Sequence, residues 1–255
     1  MAVESMVADG IELVVIDIAE QEDLKRLCLG LSHSNLKVVY VGSTGLAEFV
    51  PLAFNVDSMS IAVHQERSVD RRPALALVGS ASETTRRQLQ VAQTKNQLKI
   101  IQLDPTHVIQ NGQIASVELE KTEANLRAFL ASGHDAALVV NSSRDEIAKT
   151  QQLGARLNLS ASQVAQRIVD WLAQAGSRLV SEGRISGIVA TGGDTANALC
   201  NALDTQALEI LGEVEAGIPI MRLLGTKSLP LVTKAGGFGS PEALADALVK
   251  VKQYA

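Results

Sequence analysis

The sequence predicts an α/β protein with a mostly parallel sheet flanked by helices, a Rossmann-like architecture. Short runs of Val, Ile, Leu and Ala alternate with longer amphipathic stretches, which is the order of strands and helices in such sheets. Aromatic residues make up only 3% of the 255 residues, whereas hydrophobic residues make up 46%. The core must therefore be aliphatic, as in parallel strands that are buried on both faces.

Charge and cysteine content exclude several functional classes. The chain has 23 Lys and Arg against 28 Asp and Glu, a net charge of −5 without a dense basic block, so a nucleic-acid partner is not expected. Cys28 and Cys200 have the spacing of neither a metal site nor a disulfide scaffold. No apolar run approaches the ~20 residues of a transmembrane helix. We therefore expect a cytoplasmic protein without a membrane partner.

The first part of the chain predicts two strands and two helices. Ile11–Ile18 and Leu36–Val41 are apolar runs typical of strands. Glu20–Leu31 and Leu46–Phe54 show the periodicity of helices, with apolar residues recurring on one face.

Periodicity is lost after Phe54, and charged residues accumulate until Pro73. Such a composition is typical of a linker or a domain boundary. We therefore divide the chain into a small α/β piece (residues 1–58), a linker (59–72) and a main domain (73–255).

The main domain repeats the order of strand and helix. Six apolar runs are interpreted as strands: Ala74–Val78, Leu98–Leu103, Ala136–Val140, Ile185–Ala190, Ile220–Leu224 and Leu231–Thr233. Five amphipathic stretches are interpreted as helices: Ser82–Asn96, Thr122–Ala131, Ser160–Glu182, Asp194–Leu203 and Pro241–Val251. The polar stretch up to Glu120 is expected to be a loop or a small hairpin.

Ligands of α/β sheets collect at the carboxyl ends of strands, so the strand-to-helix junctions carry the functional signal. At the first junction, Gly79 permits a sharp turn and a close approach to a ligand. Ser80 and Glu83 fit a capping box, and the free N–H groups of the following helix could hold an anion. A plain capped helix explains the same residues, and both interpretations stay open.

The second junction is Thr191-Gly192-Gly193-Asp194-Thr195-Ala196, directly after an apolar strand. Its two glycines leave room for a phosphate or a ribose, and the positive end of the next helix points there. Asp194 could hold Mg²⁺ through water, accept from a ligand hydroxyl, or cap the helix. Tight packing of the strand against the helix is the alternative reason for the glycines.

The third junction places Gly236, Gly237 and Gly239 between a short strand and a helix. Lys234, just before them, is a point charge that suits a nucleotide phosphate. A structural turn with an incidental lysine is the alternative. No junction is a Walker A motif or a GxGxxG fingerprint, so together they favour a nucleotide cleft without a P-loop.

Four groups of residues occur in a characteristic order: Gly79-Ser80-Ala81-Ser82 with Gln88, Thr191-Gly192-Gly193-Asp194-Thr195, Gly212-Glu213-Val214 with Gly217 and Pro219, and Thr233–Gly239. This order resembles the C-terminal nucleotide-binding domain of the four-carbon acid sugar kinase family. The resemblance covers roughly Pro73 to the C-terminus. It implies an ATP-dependent kinase, with Mg²⁺ accompanying ATP, that acts on threonate, erythronate or 3-oxo-tetronate.

The resemblance also implies roles for individual residues. Ser82, the stretch 193–196, and Gly236 with Gly237 match positions that contact ATP in the family, and Lys234 matches a lysine before the last glycine loop. No catalytic base is identified. The candidate cofactor-binding residues are Ser80, Ser82, Gly192, Gly193, Asp194, Thr195, Ala196, Lys234, Gly236 and Gly237.

Residues 11–54 resemble only the last part of that family's N-terminal domain, which binds the acid sugar. The Asp-rich motif with which the family begins is absent from this sequence. We therefore expect the chain to be inactive without that portion, and whether it is an enzyme by itself is left open. Two alternatives are a non-catalytic nucleotide-binding module or sensor, and an unrelated Rossmann-like transferase. A homodimer is compatible with each of these functions.

Overall fold

The computed structural model describes residues 2–54, 70–79, 82–110 and 112–255. The chain forms two compact units, residues 1–63 (the N-terminal unit) and 64–255 (the C-terminal unit). Most of the predicted linker, residues 59–69, lies outside the described residues, so its bounds stay a prediction. Arg72, at its end, donates to the Gly183 carbonyl over 3.1 Å, within the C-terminal unit.

The described residues of the N-terminal unit form helices joined by segments without regular secondary structure. Its helices are α1 (Ala2–Ala8), α2 (Gln21–Ser32) and α3 (Thr44–Ala53). The predictions of α2 and α3 are confirmed, but the strands predicted at 11–18 and 36–41 are wrong. Both segments lack regular secondary structure and belong to no sheet. Strands form only with hydrogen-bonded neighbours, and the described residues of this unit provide none.

One seven-stranded sheet forms the centre of the C-terminal unit. Its strands are β1 (Leu75–Val78), β2 (Lys99–Leu103), β3 (Ala136–Val140), β4 (Ile188–Thr191), β5 (Thr205–Glu215), β6 (Ile218–Gly225) and β7 (Pro230–Lys234). Their order is β2-β3-β1-β4-β7-β6-β5. The first five are parallel to one another, whereas β6 pairs antiparallel with both of its neighbours, β7 and β5. The predicted mostly parallel α/β sheet is confirmed.

Strand β5 is the one strand of this sheet that the sequence does not predict. It lies at the edge, and only Leu211 among its residues is buried, so it lacks the continuous apolar run of the central strands. Its pairing with β6 contains three irregularities, between Thr205 and Ala207, Ile210 and Gly212, and Glu213 and Glu215.

Seven helices accompany the sheet: α4 (Glu83–Asn96), α5 (Pro105–Val108), α6 (Gln113–Ala131), α7 (Arg144–Arg156), α8 (Ala161–Ser181), α9 (Gly193–Ala202) and α10 (Ala243–Gln253). The loop or hairpin expected before Glu120 is wrong, because α5 and much of α6 occupy that stretch. The sequence also misses α7, which buries only Thr150 and Gly154 and so lacks an apolar stripe. No helix among the described residues is both long and apolar enough to cross a membrane.

The helices cover both faces of the sheet. Leu75 and Leu77 of β1 face α6, α8 and α9, whereas Ala76 and Val78 face α4 and α10. The loops that leave the neighbouring strands β1 and β4 therefore turn to opposite faces. In doubly wound sheets, such a divergence opens a crevice at the carboxyl ends of the strands, where ligands bind.

A buried ion pair fixes the C-terminal helix to the opposite end of the sheet. Lys252 donates to Asp135 over 2.7 Å, and the same carboxylate accepts the Ala74 N–H over 2.8 Å. Only 5% of Asp135 is exposed, so its charge depends on these partners.

We predict that Lys252→Met lowers the free energy of unfolding by about 3 kcal/mol, since it leaves a buried carboxylate without its cation. Urea denaturation measures the change. Lys95→Met is the matched control, because its ion pair with Asp246 is solvent-exposed and such pairs contribute little. Equal effects of the two substitutions would contradict the prediction.

Candidate functional site

The three glycine-bearing junctions meet at the carboxyl ends of three adjacent strands, β1, β4 and β7. The Gly79 N–H donates to the Thr191 carbonyl over 3.3 Å, and the Gly192 N–H donates to the Lys234 carbonyl over 2.9 Å. Neighbouring strands lie about 4.8 Å apart, so the three loops begin within about 10 Å of one another. The three junctions thus belong to one sheet, and the structure adds that the strands which they follow are neighbours.

The first junction leads into α4, whose N-cap is Ser82. The Ser82 Oγ accepts the Thr85 N–H over 3.1 Å. The capping box predicted for Ser80 is wrong, since the cap falls two residues later, and Ser80 itself lies outside the described residues. The Ser82 hydroxyl and the Thr85 hydroxyl, the latter over 2.9 Å, both donate to the Gly236 carbonyl. The start of α4 is therefore tied to the third junction.

The second junction forms the start of α9. Gly192 is its N-cap with a φ of +103°, a left-handed conformation that favours glycine. Gly193 and Asp194 are exposed, whereas the Thr195 side chain is buried. The Ala196 N–H already donates to the Gly192 carbonyl over 3.1 Å. The N–H groups of residues 193–195 are thus those that α9 offers to a ligand.

The glycines of these junctions are required for different reasons. A Cβ at Gly79 would overlap the Thr195 Oγ1 and lie 3.4 Å from the Leu172 Cδ1. A Cβ at Gly193 or Gly237 would meet no atom within 4 Å. Packing therefore explains Gly79 but neither Gly193 nor Gly237, whose missing side chains leave open space along the cleft.

The third junction is held by Lys234, whose side chain is only 1% exposed. Its Nζ donates to the carbonyls of Ala235 over 2.9 Å, Gly236 over 3.4 Å and Phe238 over 3.1 Å. Burial lowers the pKa of the Lys234 ammonium, and the negative charge of Glu215 partly offsets this. The lysine thus faces the carbonyls of its own loop, and its expected contact with a phosphate stays a prediction.

Two further side chains hold this loop. Gln88 Nε2 donates to the carbonyls of Phe238 over 3.0 Å and Ser240 over 2.8 Å. The Glu215 carboxylate accepts the Ser240 N–H over 2.8 Å and its hydroxyl over 2.5 Å. The N–H groups of Gly236 and Gly237, by contrast, donate to no acceptor in the described part of the chain. The loop therefore turns carbonyls towards the protein and offers these amides to a ligand.

Sequence reasoning missed Thr85 and Glu215. Thr85 lies three residues after Ser82, and the N–H group at this position commonly donates to the side chain of the N-cap residue. The spacing from Ser82 could therefore have indicated Thr85. Glu215 is 25 residues away from Ser240, and no local pattern connects them.

The cleft offers main-chain N–H groups and the positive ends of two helices, α4 and α9. This combination binds anions, phosphates above all. Asp194 is the carboxylate at the start of α9. Within residues 2–54, 70–79, 82–110 and 112–255, no group of three His, Cys, Asp or Glu could hold a metal ion by itself. Fold and site together define an α/β protein whose cleft, at the carboxyl ends of the parallel strands, presents main-chain N–H groups and has no P-loop sequence.

The comparison with protein families agrees. A family described as the nucleotide-binding C-terminal domain matches residues 75–244, well over half of the chain. The chain therefore belongs to this family, the nucleotide-binding domain of the four-carbon acid sugar kinases. The alternative of an unrelated Rossmann-like transferase is thereby wrong.

Individual relatives extend the similarity to almost the whole chain. The D-threonate kinase of Salmonella typhimurium is 27% identical over 248 residues, 96% of this chain and 56% of that kinase. The 3-oxo-tetronate kinase of Cupriavidus necator is 28% identical over 246 residues, 94% of this chain and 52% of that kinase. The chain thus spans about half the length of these curated relatives.

A solved structure supports the fold. A DUF1537 domain from Bordetella bronchiseptica, crystallised with citrate as a domain-swapped dimer, is 25% identical to this chain with a TM-score of 0.57. The match covers 99% of this chain and 56% of that one.

We predict different effects on stability for two glycine substitutions. Gly79→Ala should lower the free energy of unfolding by about 1–3 kcal/mol, because the added methyl group overlaps Thr195. Gly193→Ala should leave it unchanged or raise it by up to about 1 kcal/mol, since the methyl group meets open space and the unfolded chain loses freedom. Thermal or urea denaturation measures both, and a Gly193→Ala variant less stable than Gly79→Ala would contradict the prediction.

Proposed function

We propose that this chain is the ATP-binding portion of a kinase that phosphorylates a four-carbon sugar acid: threonate, erythronate or 3-oxo-tetronate. One observation carries the proposal: Gly193 and Gly237 border open space beside unpaired main-chain N–H groups, at adjacent strand ends. Membership of the kinase family adds the class of phosphate donor and acceptor.

ATP would bind along the carboxyl ends of the three neighbouring strands β1, β4 and β7. The amides of Gly193 and Asp194 at the start of α9, and those of Gly236 and Gly237, would hold its phosphates. Ser82 would contribute indirectly. Its hydroxyl donates to the Gly236 carbonyl and so keeps the loop after β7 in place. A cleft preformed in this way loses little entropy on binding.

Mg²⁺ would accompany the nucleotide, and Asp194 fits its preferences. This carboxylate is exposed and has no partner among the described residues. Mg²⁺ commonly binds to one or two carboxylates together with substrate phosphates and water. The ion would supply charge neutralisation at the phosphates.

In phosphoryl transfer, the sugar-acid hydroxyl attacks the γ-phosphorus in line, and catalysis depends on positioning and electrostatics. The loop amides would stabilise the negative charge that develops on the phosphoryl oxygens. The groups that hold the acid and activate its hydroxyl would belong to the portion of the relatives that this chain does not span.

The proposal also concerns the location and the assembly of the protein. Its substrates would be small soluble anions, which fits the cytoplasmic location expected from the sequence. A homodimer stays a prediction for this chain, and size-exclusion chromatography with light scattering would determine its assembly.

We predict that ATP with Mg²⁺ raises the melting temperature, because a ligand that binds only the folded state stabilises it by mass action. The free energy of unfolding rises by about 2.7 kcal/mol when the ligand concentration is a hundred times the Kd. Gly193→Val should abolish the shift, since its side chain fills the space for the phosphates, while circular dichroism shows an intact fold.

Ala202→Val, at the exposed far end of α9, is the matched control and should keep the shift. Unaltered binding by folded Gly193→Val would remove this loop from the site. The absence of any shift with folded wild-type protein at millimolar nucleotide would contradict the proposal.

We also predict that the chain alone does not turn over ATP with D-threonate, D-erythronate or 3-oxo-tetronate. The acceptor hydroxyl must lie roughly 3 Å from the phosphorus in an aligned geometry, and the portion that would position it is not in this sequence. A coupled assay of ADP release measures turnover. Rates of about 1–100 s⁻¹, typical of kinases, would show that the acceptor site lies within these 255 residues.

A further inference from the structure

We propose that three main-chain carbonyls of the loop after β7 form a site for an ammonium-type cation, which the side chain of Lys234 fills. The carbonyls are those of Ala235, Gly236 and Phe238, called here the carbonyl cage. Lys234 is then a positioning residue, which acts on a nucleotide through the loop and does not contact a phosphate. Only the consequence for ATP rests on the proposed function.

The donors of the Lys234 ammonium match the carbonyl cage in number. An ammonium group has three N–H donors and no acceptor. The Nζ lies 2.9 Å, 3.4 Å and 3.1 Å from the carbonyl oxygens of Ala235, Gly236 and Phe238, and the residue is buried. In this conformation of the loop, no donor remains for a phosphate oxygen.

The Lys234 side chain also leaves the sheet on the face away from α9. Side chains alternate between the two faces along a strand. Val232 packs in the core beneath α4 and α10, so Lys234, two residues later, starts out on that same face. Ala196 and Leu199 of α9 pack on the opposite face. The lysine is therefore directed beneath its own loop, and β7 separates it from the helix whose N–H groups would hold phosphates.

Two further oxygen atoms near the cage are buried without a hydrogen-bond partner among the described residues: Thr191 Oγ1 and Gln88 Oε1. Thr191 is the register partner of Lys234 on β4, so both side chains leave the sheet on the same face. Gln88 Nε2 and the ammonium donate to the same Phe238 carbonyl. Main-chain carbonyls can replace the hydration shell of a monovalent cation, and this place is rich in such oxygen ligands.

The surroundings of the cage favour one positive charge. The negative charge of the Glu215 carboxylate acts on the Lys234 ammonium and opposes the effect of its burial. The oxygens of the same carboxylate accept the N–H and the hydroxyl of Ser240, which keeps the charge beside the loop. A buried cation is unfavourable without such compensation, so the site is suited to a cation whether or not a side chain carries it.

Without a cation, the cage loses the reason for its geometry. Its three carbonyl oxygens would face one another without a donor between them, and buried carbonyls without partners are costly. The loop would then turn these carbonyls elsewhere, and the N–H groups of Gly236 and Gly237 would change direction with them. A free cation of the right size should restore the loop when the lysine side chain is removed.

The experiment replaces the lysine side chain by a free ion in the full chain. Lys234→Ala removes the Cγ, Cδ, Cε and Nζ atoms, and the n-propylammonium ion has the same chain of three carbons and one nitrogen. Lys234→Met is the matched control, because it also removes the charge but fills the space that the ion would need. Tetramethylammonium has the same charge and no N–H donor, so it controls for ionic strength.

Amide hydrogen exchange, measured by NMR without nucleotide, reports on the loop. The Phe238 N–H donates to the Ala235 carbonyl over 3.1 Å, and the Ser240 N–H donates to Glu215. The Ala136 N–H of β3 lies at the other end of the sheet and serves as the reference. Isothermal titration calorimetry measures the binding of ATP with Mg²⁺ to the same samples.

We expect the Phe238 and Ser240 amides to exchange at least about tenfold faster in both variants, because hydrogen bonds to a charged group are lost and the loop opens locally. Exchange of the Ala136 amide should not change. n-Propylammonium should restore slow exchange in Lys234→Ala but not in Lys234→Met, and tetramethylammonium should restore it in neither. The affinity for ATP should fall and recover in parallel.

Unchanged exchange in Lys234→Ala would overturn the inference, and a simultaneous loss of ATP binding would assign the lysine to a phosphate instead. Lack of rescue by n-propylammonium, equal rescue of both variants, or rescue by tetramethylammonium would also contradict it. If Lys234→Ala does not fold in plain buffer, it should fold in n-propylammonium, and failure to do so counts against the site. Exchange as expected, together with no ATP binding by the wild type, would reject the proposed function alone.

Discussion

A buried ammonium group holds the glycine loop after β7 in place, and the geometry of the cleft depends on it. The Lys234 Nζ donates to three carbonyls of residues 235–238. A buried cation is unfavourable unless its donors are satisfied, and these carbonyls satisfy them. Because the carbonyls point towards the lysine, the intervening amides are free to face the cleft.

The loop is also coupled to its neighbours in space. Gln88, from α4, and Glu215, at the end of β5, hold residues 238–240 from two sides. The Ser82 hydroxyl links the start of α4 to Gly236. These bonds join the start of α4 and the end of β5 to the loop after β7, so this part of the cleft is fixed before a ligand arrives. Rigid positioning is what phosphoryl transfer requires of a protein.

Much of this architecture could be predicted from the sequence, and the exceptions have physical reasons. The central strands β1 and β3 are continuous apolar runs, so their residues alone indicate them. Strand β5 is exposed at an edge, and α7 buries almost no apolar side chain, so neither produces a recognisable pattern. The sequence does not determine which groups the Lys234 ammonium contacts, because a lysine before a glycine loop can bind either a phosphate or a cluster of carbonyls. Only the folded arrangement of the loop decides between them.

The irregular pairing of β5 has a consequence for solubility. A regular edge strand is a template on which further chains can aggregate, and bulges interrupt that template. Three irregularities occur along the eleven residues of β5, so the open side of this sheet is poorly suited to recruiting another sheet.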